Sequence, residues 1–301
     1  MLILRRVAPL ASLLLLAVFG PLGPAVAGEE SAPPLPDVAR ARLGLPSAYV
    51  VGKNAALPFY RFQTASFKGR DLHSNQGGVL VGITESSQLS FDFDDIQATG
   101  RHAGNRFDGQ AWGVSFKHRC RGWERPDTAL SLEFEYRAAS ADAQIDNTTV
   151  KPPDARVYAL NADCSRWLKH GNTLHLRAAG SRLTLGPELD GWALGFSAGA
   201  DHRLGSAFLL EANGGVVTNF GDAKGTDVAL SGGIHYGKPT GLFADVAGTF
   251  FPSGIPVMGG PMADASIFRM DPALANQAVV QQMSSEAIGV FTAQVGFRAQ
   301  W

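Results

Sequence analysis

Residues 291–301, FTAQVGFRAQW, alternate between apolar and polar or small residues up to the last position. Successive side chains of an extended strand point to opposite faces of a sheet. One set of alternate positions is apolar: Phe291, Ala293, Val295, Phe297, Ala299 and Trp301. The other set is polar or small: Thr292, Gln294, Gly296, Arg298 and Gln300. The stretch therefore predicts a β-strand with one apolar face and one polar face.

The same two-residue period recurs along the chain in segments of about 10 to 13 residues, a length that suits a tilted membrane strand. In residues 130–138, leucines and aromatics alternate with Glu133, Glu135 and Arg137. A register shift of one residue would move these charges together into lipid, where a basic side chain costs up to about 2–4 kcal/mol at mid-bilayer. The pattern therefore specifies the register strongly.

The amino-terminal segment has the three parts of a secretory signal peptide. Arg5 and Arg6 are basic, residues 10–19 are apolar, and Ala25, Val26 and Ala27 form a small-x-small cleavage site. We therefore expect a signal peptide over residues 1–27. The whole chain has 26 basic and 27 acidic residues, and the peptide carries two basic residues and no acidic one. The mature net charge of −3 argues against a nucleic-acid partner.

A secretory signal followed by a last strand with a terminal aromatic residue resembles the Gram-negative outer-membrane β-barrel proteins. The resemblance implies an integral outer-membrane protein that contacts outer-membrane lipid and has a periplasmic carboxyl terminus. It also implies an assembly signal for the barrel-assembly machinery at Phe291, Val295, Phe297 and Trp301. Because lipid offers no partners to backbone polar groups, a chain without later apolar helices can span a membrane only as a closed barrel.

We therefore predict an all-β fold, a transmembrane antiparallel up-and-down β-barrel over residues 58–301. Counting back from the last strand gives ten strands that begin near residue 88. Two weaker segments, 59–67 and 78–84, would make twelve. Short connections alternate with longer ones, which is typical of periplasmic turns and external loops. The Pro-rich residues 28–57 are either a periplasmic lead or a plug that enters the barrel.

A soluble sandwich or lipocalin-like barrel also alternates. The charged residues, however, collect on the face opposite the aromatic residues, which favours the membrane barrel. The predicted lumen-lining residues are Lys117, Arg119, Glu133, Glu135, Arg137, Asp163, His175, Arg177, Glu211, His235, Asp245 and Arg298.

Cross-strand pairs are expected between Lys117 or Arg119 and Glu133 or Glu135. A structural barrel filled by salt bridges, a narrow solute passage with selectivity set by these charges, and a lumenal site for a small polar solute all fit this pattern.

Two alternatives to a structural or pore role are compatible with the sequence. An outer-membrane lipid hydrolase, of phospholipase or lipid A deacylase type, needs a Ser/His pair, for which His102 with His73 and Ser74 are weak candidates. Asp201 and His202, with the acidic run at 92–95, loosely resemble the omptin proteases, but the expected topology separates them. A surface adhesin is the other alternative. No catalytic residue, metal site or cofactor is assigned.

Two further features complete the sequence. Cys120 and Cys164 are expected on strands separated by one other strand, roughly 9 to 10 Å apart, so two free thiols are predicted. The long connection at residues 252–285 is rich in Gly, Pro and Met. It covers the barrel mouth, folds into the lumen as a constriction, or contacts a partner that the sequence does not identify.

Overall fold

The computed structural model describes residues 47–67, 70–99, 106–125, 127–145, 148–151, 154–168, 171–186, 189–205, 207–221, 225–237, 241–252 and 287–301. The predicted signal peptide, most of residues 28–57, His102 and the connection after residue 252 lie outside the described residues.

Within the described ranges, the chain is built from strands and one short 3-10 turn, Arg121–Trp123. The strands are β1 Ala55–Phe67, β2 Arg70–Thr84, β3 Ser87–Thr99, β4 Arg106–Arg119, β5 Thr128–Ile145, β6 Thr148–Val150, β7 Ala155–Trp167, β8 Asn172–Leu185, β9 Leu189–Leu204, β10 Phe208–Gly221, β11 Gly225–Gly237, β12 Gly241–Phe251 and β13 Ile288–Gln300. No helix among the described residues is long and apolar enough to span a membrane.

The strands close into an antiparallel barrel. Each wall strand pairs with the next along the chain, β4 pairs with β5, and β13 returns to pair with β1. The short β6 only extends the tip of β5, which pairs with β7 in the wall. The described residues thus contribute twelve wall strands. The prediction of a closed all-β barrel is confirmed, and the preferred number of ten strands was wrong.

The two extra strands are the weak amino-terminal candidates, now β1 and β2. Strand β2 was hard to recognise because Asp71, His73, Asn75 and Gly77 occupy its outward positions over half its length. The apolar outward face that marks the other strands is present only in its second half, at Val79, Val81 and Ile83. Its backbone is held by continuous pairing with β1 and β3 on both sides.

Burial alternates along each wall strand. In β12, Asp245 and Thr249 are buried, whereas Leu242 and Val246 are exposed. Because a closed sheet has one inner and one outer face, the buried set faces the barrel interior and the exposed apolar set faces outward. The polar residues of the alternating pattern are therefore inside.

The twelve wall strands contain 11 to 18 residues, and six of them are longer than the 10 to 13 residues expected from the sequence. The connections are correspondingly shorter, for example residues 222–224 between β10 and β11. We call the end of the barrel that carries Ala55 and Trp301 the terminal end, and the other the opposite end. The connections at the terminal end have between two residues (85–86) and eight (120–127), whereas those at the opposite end have between two (68–69) and 36 (252–287).

Candidate functional site: the barrel interior

All twelve predicted lumen residues lie on the inner face. Ten are buried, and Arg119 and Glu133 are half-buried. Side chains that face the interior yet expose so little surface must pack against one another. The interior of the described barrel is therefore narrow and largely filled.

Four charged residues on neighbouring strands form what we call the charge cluster: Lys117 of β4, Glu133 of β5, Asp163 of β7 and Arg177 of β8. The Lys117 ammonium lies 2.8 Å from Asp163 and 3.9 Å from Glu133. The Arg177 guanidinium donates to Asp163 at 2.6 and 3.1 Å and lies 3.5 Å from Glu133. Each cation lies within 4 Å of both carboxylates. Because two cations face two carboxylates, the cluster has no formal net charge.

The expected cross-strand pairs form only in part. Lys117 and Glu133 lie opposite each other in the register, but Asp163 is the closer partner of Lys117. Arg119 pairs with neither predicted glutamate. Its guanidinium donates to both oxygens of Glu124, at 2.6 and 2.8 Å. Glu124 follows the 3-10 turn between β4 and β5, a position that strand alternation could not place next to Arg119.

Arg137 of β5 reaches across β4 to Asp92 of β3, with which it forms an ion pair. Gly113 of β4 lies between them and leaves the space they need. A Cβ atom at Gly113 would lie 2.7 Å from Arg137 Nε and 2.8 Å from Asp92 Oδ2. Gln76 Nε2 also donates to Asp92 at 2.7 Å. This glycine therefore makes room for a long-range ion pair.

Three polar residues near the terminal end form a chain of hydrogen bonds. Ser165 Oγ of β7 lies 2.7 Å from His175 Nδ1 of β8, and His175 Nε2 lies 3.1 Å from Asp201 Oδ2 of β9. The residue types match those of a hydrolytic triad. However, Ser165 and His175 are fully buried, and the Ala48 N–H donates to Ser165 Oγ at 2.8 Å. In this structure, the chain of bonds anchors the backbone of residue 48.

Residues 47–52, which we call the strap, cross the interior just inside the terminal end. Lys117 Nζ donates to the Ser47 carbonyl, the Ala48 N–H donates to Ser165, and the Val51 N–H donates to Gln88 Oε1 at 2.7 Å. These contacts tie the strap to β4, β7 and β3.

Tyr49 and Val51 are also buried, in an apolar cluster. The other members of this cluster are Ala48, Ala55, Leu57, Ala129 and Phe243. An aromatic contact between Tyr49 and His175, with ring centroids 6.3 Å apart, adds to it.

A second group of contacts lines the other side of the interior. His235 Nδ1 bonds to Asp245 Oδ1, Gln294 Nε2 lies 3.5 Å from Asp245 Oδ2, and Arg61 Nε donates to Gln294 Oε1 at 2.8 Å. Glu211 and Arg298 are buried on the same inner face. Arg61 and Gln294 were missed as site residues, although Gln294 stands at a polar position of the stretch 291–301.

The enzyme candidates do not come together. His73 and Ser74 lie on opposite faces of β2, where His73 contacts Thr64 and Ser74 donates to Asp94. Asp201 and His202 likewise point to opposite faces of β9. Across the described ranges, no cluster of His, Cys, Asp and Glu could hold a metal ion. Cys120 and Cys164 are both free thiols, as predicted.

No protein-family model matches the chain, and no curated protein matches it in sequence. Its fold is similar to that of an outer membrane channel from Pseudomonas putida F1, with a TM-score of 0.52 and 9% identity over 82% of this chain and 96% of the channel. It is also similar to the NanC porin, with a TM-score of 0.51 and 9% identity over 80% of this chain and 98% of the porin. At this level of identity the likeness shows the fold alone, a closed antiparallel β-barrel similar to those of these two outer-membrane proteins.

Proposed function

We propose that the protein is an integral outer-membrane β-barrel whose interior is a narrow passage for small polar solutes, closed near its terminal end by the strap. The feature that carries the proposal is an inner face rich in buried charged and polar side chains, interrupted by the apolar cluster around the strap, inside an apolar outer face. The fold similarity to an outer membrane channel and a porin supports it.

The outer face supports insertion into lipid. Many of its large apolar side chains are exposed, among them Leu160, Trp192 and Leu242, at 58%, 57% and 72%. A soluble protein rarely exposes so extensive an apolar surface. In a closed sheet all backbone groups of the wall are paired, so the barrel can lie in hydrocarbon. The longest connection, residues 252–287, lies at the opposite end, which favours placement of the terminal end on the periplasmic side.

The inner face supports passage of small polar or charged solutes. Ion-paired and hydrogen-bonded side chains line much of it, whereas buried apolar side chains such as Leu72, Leu183 and Val290 lie near the opposite end. The packing of these side chains restricts what can pass. The charge cluster lies beside the strap, since Lys117 binds both. A solute that moves past the strap must therefore move past Lys117, Asp163 and Arg177.

The strap is the closing element in this proposal. Backbone hydrogen bonds to three different strands hold it in place. Its release would expose the polar groups at Gln88, Lys117 and Ser165 to solvent, where water can replace the lost bonds. A movable segment held by a few such bonds has a modest free energy of opening.

Planar-bilayer conductance of the refolded barrel tests the proposal. In a C120S/C164S background, an A48C/S165C variant should form a disulfide that fixes the strap, because the residue 48 N–H contacts the residue 165 side chain. We expect low conductance in the oxidised barrel and larger, more frequent steps after reduction. The C120S/C164S parent is the matched control and should not respond to reductant. Unchanged current in both redox states would contradict closure by the strap.

A lipid hydrolase remains the second candidate because of the Ser165–His175–Asp201 arrangement. Hydrolysis of a phospholipid or acylated glycolipid that is lost in S165A would favour it, and would count against a purely passive passage.

If the protein is a surface adhesin, protease removal of the external loops should abolish cell binding and leave the conductance intact.

A further inference from the structure

We propose that a ring of apolar side chains inside the barrel, near its opposite end, determines which solutes use the passage. It favours neutral solutes in which an aromatic or aliphatic group is joined to hydroxyl groups. The inference rests on the proposed passage and names its class of solute. Six aliphatic side chains define what we call the apolar ring: Leu72, Ile96, Val157, Leu183, Val217 and Val290.

The members of the apolar ring lie close to the opposite end of the barrel. They belong to β2, β3, β7, β8, β10 and β13, and each stands among the five residues nearest that end of its strand. Each takes a buried position in the alternation of its strand and is at most 5% exposed. Because the buried positions of the wall face the interior, the six side chains enclose the interior from separate parts of the wall.

Strand pairing brings members of the apolar ring together. Val290 lies opposite Ala65, and Ala65 lies opposite Leu72. On another part of the wall, Val157 lies opposite Leu183. Directly opposite side chains on one face of an antiparallel pair are neighbours, so these contacts join β13 to β2 and β7 to β8 in apolar layers.

Strands between the members of the apolar ring continue it with small or aromatic side chains. Ala111 of β4, Ala193 of β9 and Phe251 of β12 are all buried near the opposite end. Strand β11 contributes the buried Ala229, and Asp227 takes the next position of the same parity toward the rim. The inner wall is therefore predominantly apolar at this level.

The outer face has the reverse polarity beside the apolar ring. Leu72 stands between Asp71 and His73, which are exposed on the outer face of β2. Leu183 stands between the exposed Arg182 and the half-buried Thr184 on β8. The apolar ring thus lies where the outer face of these strands has become polar. Contact with lipid does not account for apolar residues at these inward positions, and an apolar group inside the barrel does.

Hydroxyl groups lie one inward position below the apolar ring, toward the terminal end. On β2, β8 and β13 they belong to Ser74, Ser181 and Thr292, each buried and two residues from a member of the ring. Thr249 of β12 lies opposite Val290 and is 4% exposed, and its Oγ1 has no hydrogen-bond partner within the described ranges. A buried hydroxyl without a partner is costly, so a hydroxyl group of a solute would stabilise this position.

The two layers together define the class of solute. A hydrated ion that enters the apolar ring loses contacts with water and gains none from aliphatic groups, so an apolar constriction slows ions. An aromatic or aliphatic group gains free energy at the same place because its apolar surface leaves water. Hydroxyl groups joined to it then meet the hydroxyl layer on the terminal side.

Liposome swelling with the refolded barrel tests the inference, with phenyl β-D-glucoside and methyl β-D-glucoside as probes. The probes share the sugar, and the phenyl compound is the larger and more apolar. We expect the wild type to admit the phenyl compound faster, against the order of size. L72S/L183S should lower the phenyl-to-methyl ratio of swelling rates about tenfold, because polar groups replace apolar contacts. L72A/L183A is the matched control, since alanine is close to serine in size, and it should keep the wild-type order.

Entry in the order of size in the wild type, or equal ratios in the serine and alanine variants, would overturn the inference. Heat-modifiable migration shows for each variant that the barrel has folded, and the single variant V217S should lower the ratio in the same direction. An inserted barrel that admits neither glucoside would contradict the proposed passage and this inference with it, whereas a barrel that admits both in the order of size would contradict the apolar ring alone.

Discussion

Asp163 is the central carboxylate of the charge cluster, buried between Lys117 and Arg177. Replacing it by asparagine removes the negative charge and leaves the more distant Glu133 as the carboxylate of the charge cluster. Loss of one partner of a buried ion pair costs about 3–5 kcal/mol. We expect D163N to lower the free energy of unfolding by about that amount, measured by urea unfolding in phospholipid vesicles.

Asp108 provides the matched control at the same scale. It pairs with Arg106 on the outer face, where both side chains are about half exposed. Exposed pairs contribute about 0–1 kcal/mol, so D108N should unfold almost like wild type. Equal urea midpoints for D163N and wild type would show that the charge cluster does not stabilise the barrel.

Strand β13 carries a glycine whose absent side chain is needed for packing. A Cβ atom at Gly296 would overlap the Phe243 ring and the Pro58 carbonyl oxygen. We expect G296A to destabilise the barrel by about 1–3 kcal/mol, the usual range for overpacking. Gly289, in the same strand, has no atom within 4 Å of the corresponding position. G289A should therefore unfold at the same urea concentration as wild type or slightly above it, and equal effects of the two substitutions would refute the packing explanation.

The barrel as a whole carries more acidic than basic residues on its described inner face. Asp92, Asp94 and Asp201 add to the predicted lumen residues, whereas Arg61 and Arg203 are added basic residues at inward positions of the described strands. We expect weak cation selectivity, seen as a reversal potential in a salt gradient. E211Q should reduce this preference and R298Q should increase it, and selectivity for anions in wild type would contradict the assignment of the passage.

Residue alternation was sufficient to predict the inner and outer faces, because a one-residue slip would move charges such as Glu135 and Arg137 to the outer face together. It was not sufficient for β2, whose outward residues are polar, or for the interior contacts. The bond between residue 48 and Ser165 joins positions 117 residues apart, and no local pattern encodes it.

Inward aromatic residues were the missed signal for the strap. Phe59 and Phe243 interrupt the polar set of their strands, and both pack with the apolar cluster around the strap. An aromatic side chain at an inward position of a polar-lined barrel requires an apolar partner inside. The alternation within a single strand indicates which residues face inward, but it does not indicate which segment of the chain packs against them.

Asn54 joins the strap to β1 with a φ of 58°, in the left-handed region that non-glycine residues seldom occupy. Its carbonyl accepts a hydrogen bond from the Trp301 N–H at 2.9 Å, which fastens this corner to the end of the closing strand pair. Rotation at residues 52–53 would therefore move the strap relative to the wall without breaking any strand pairing. We expect the strap and the wall to have separate thermal transitions, with release of the strap well below the temperature at which the wall unfolds.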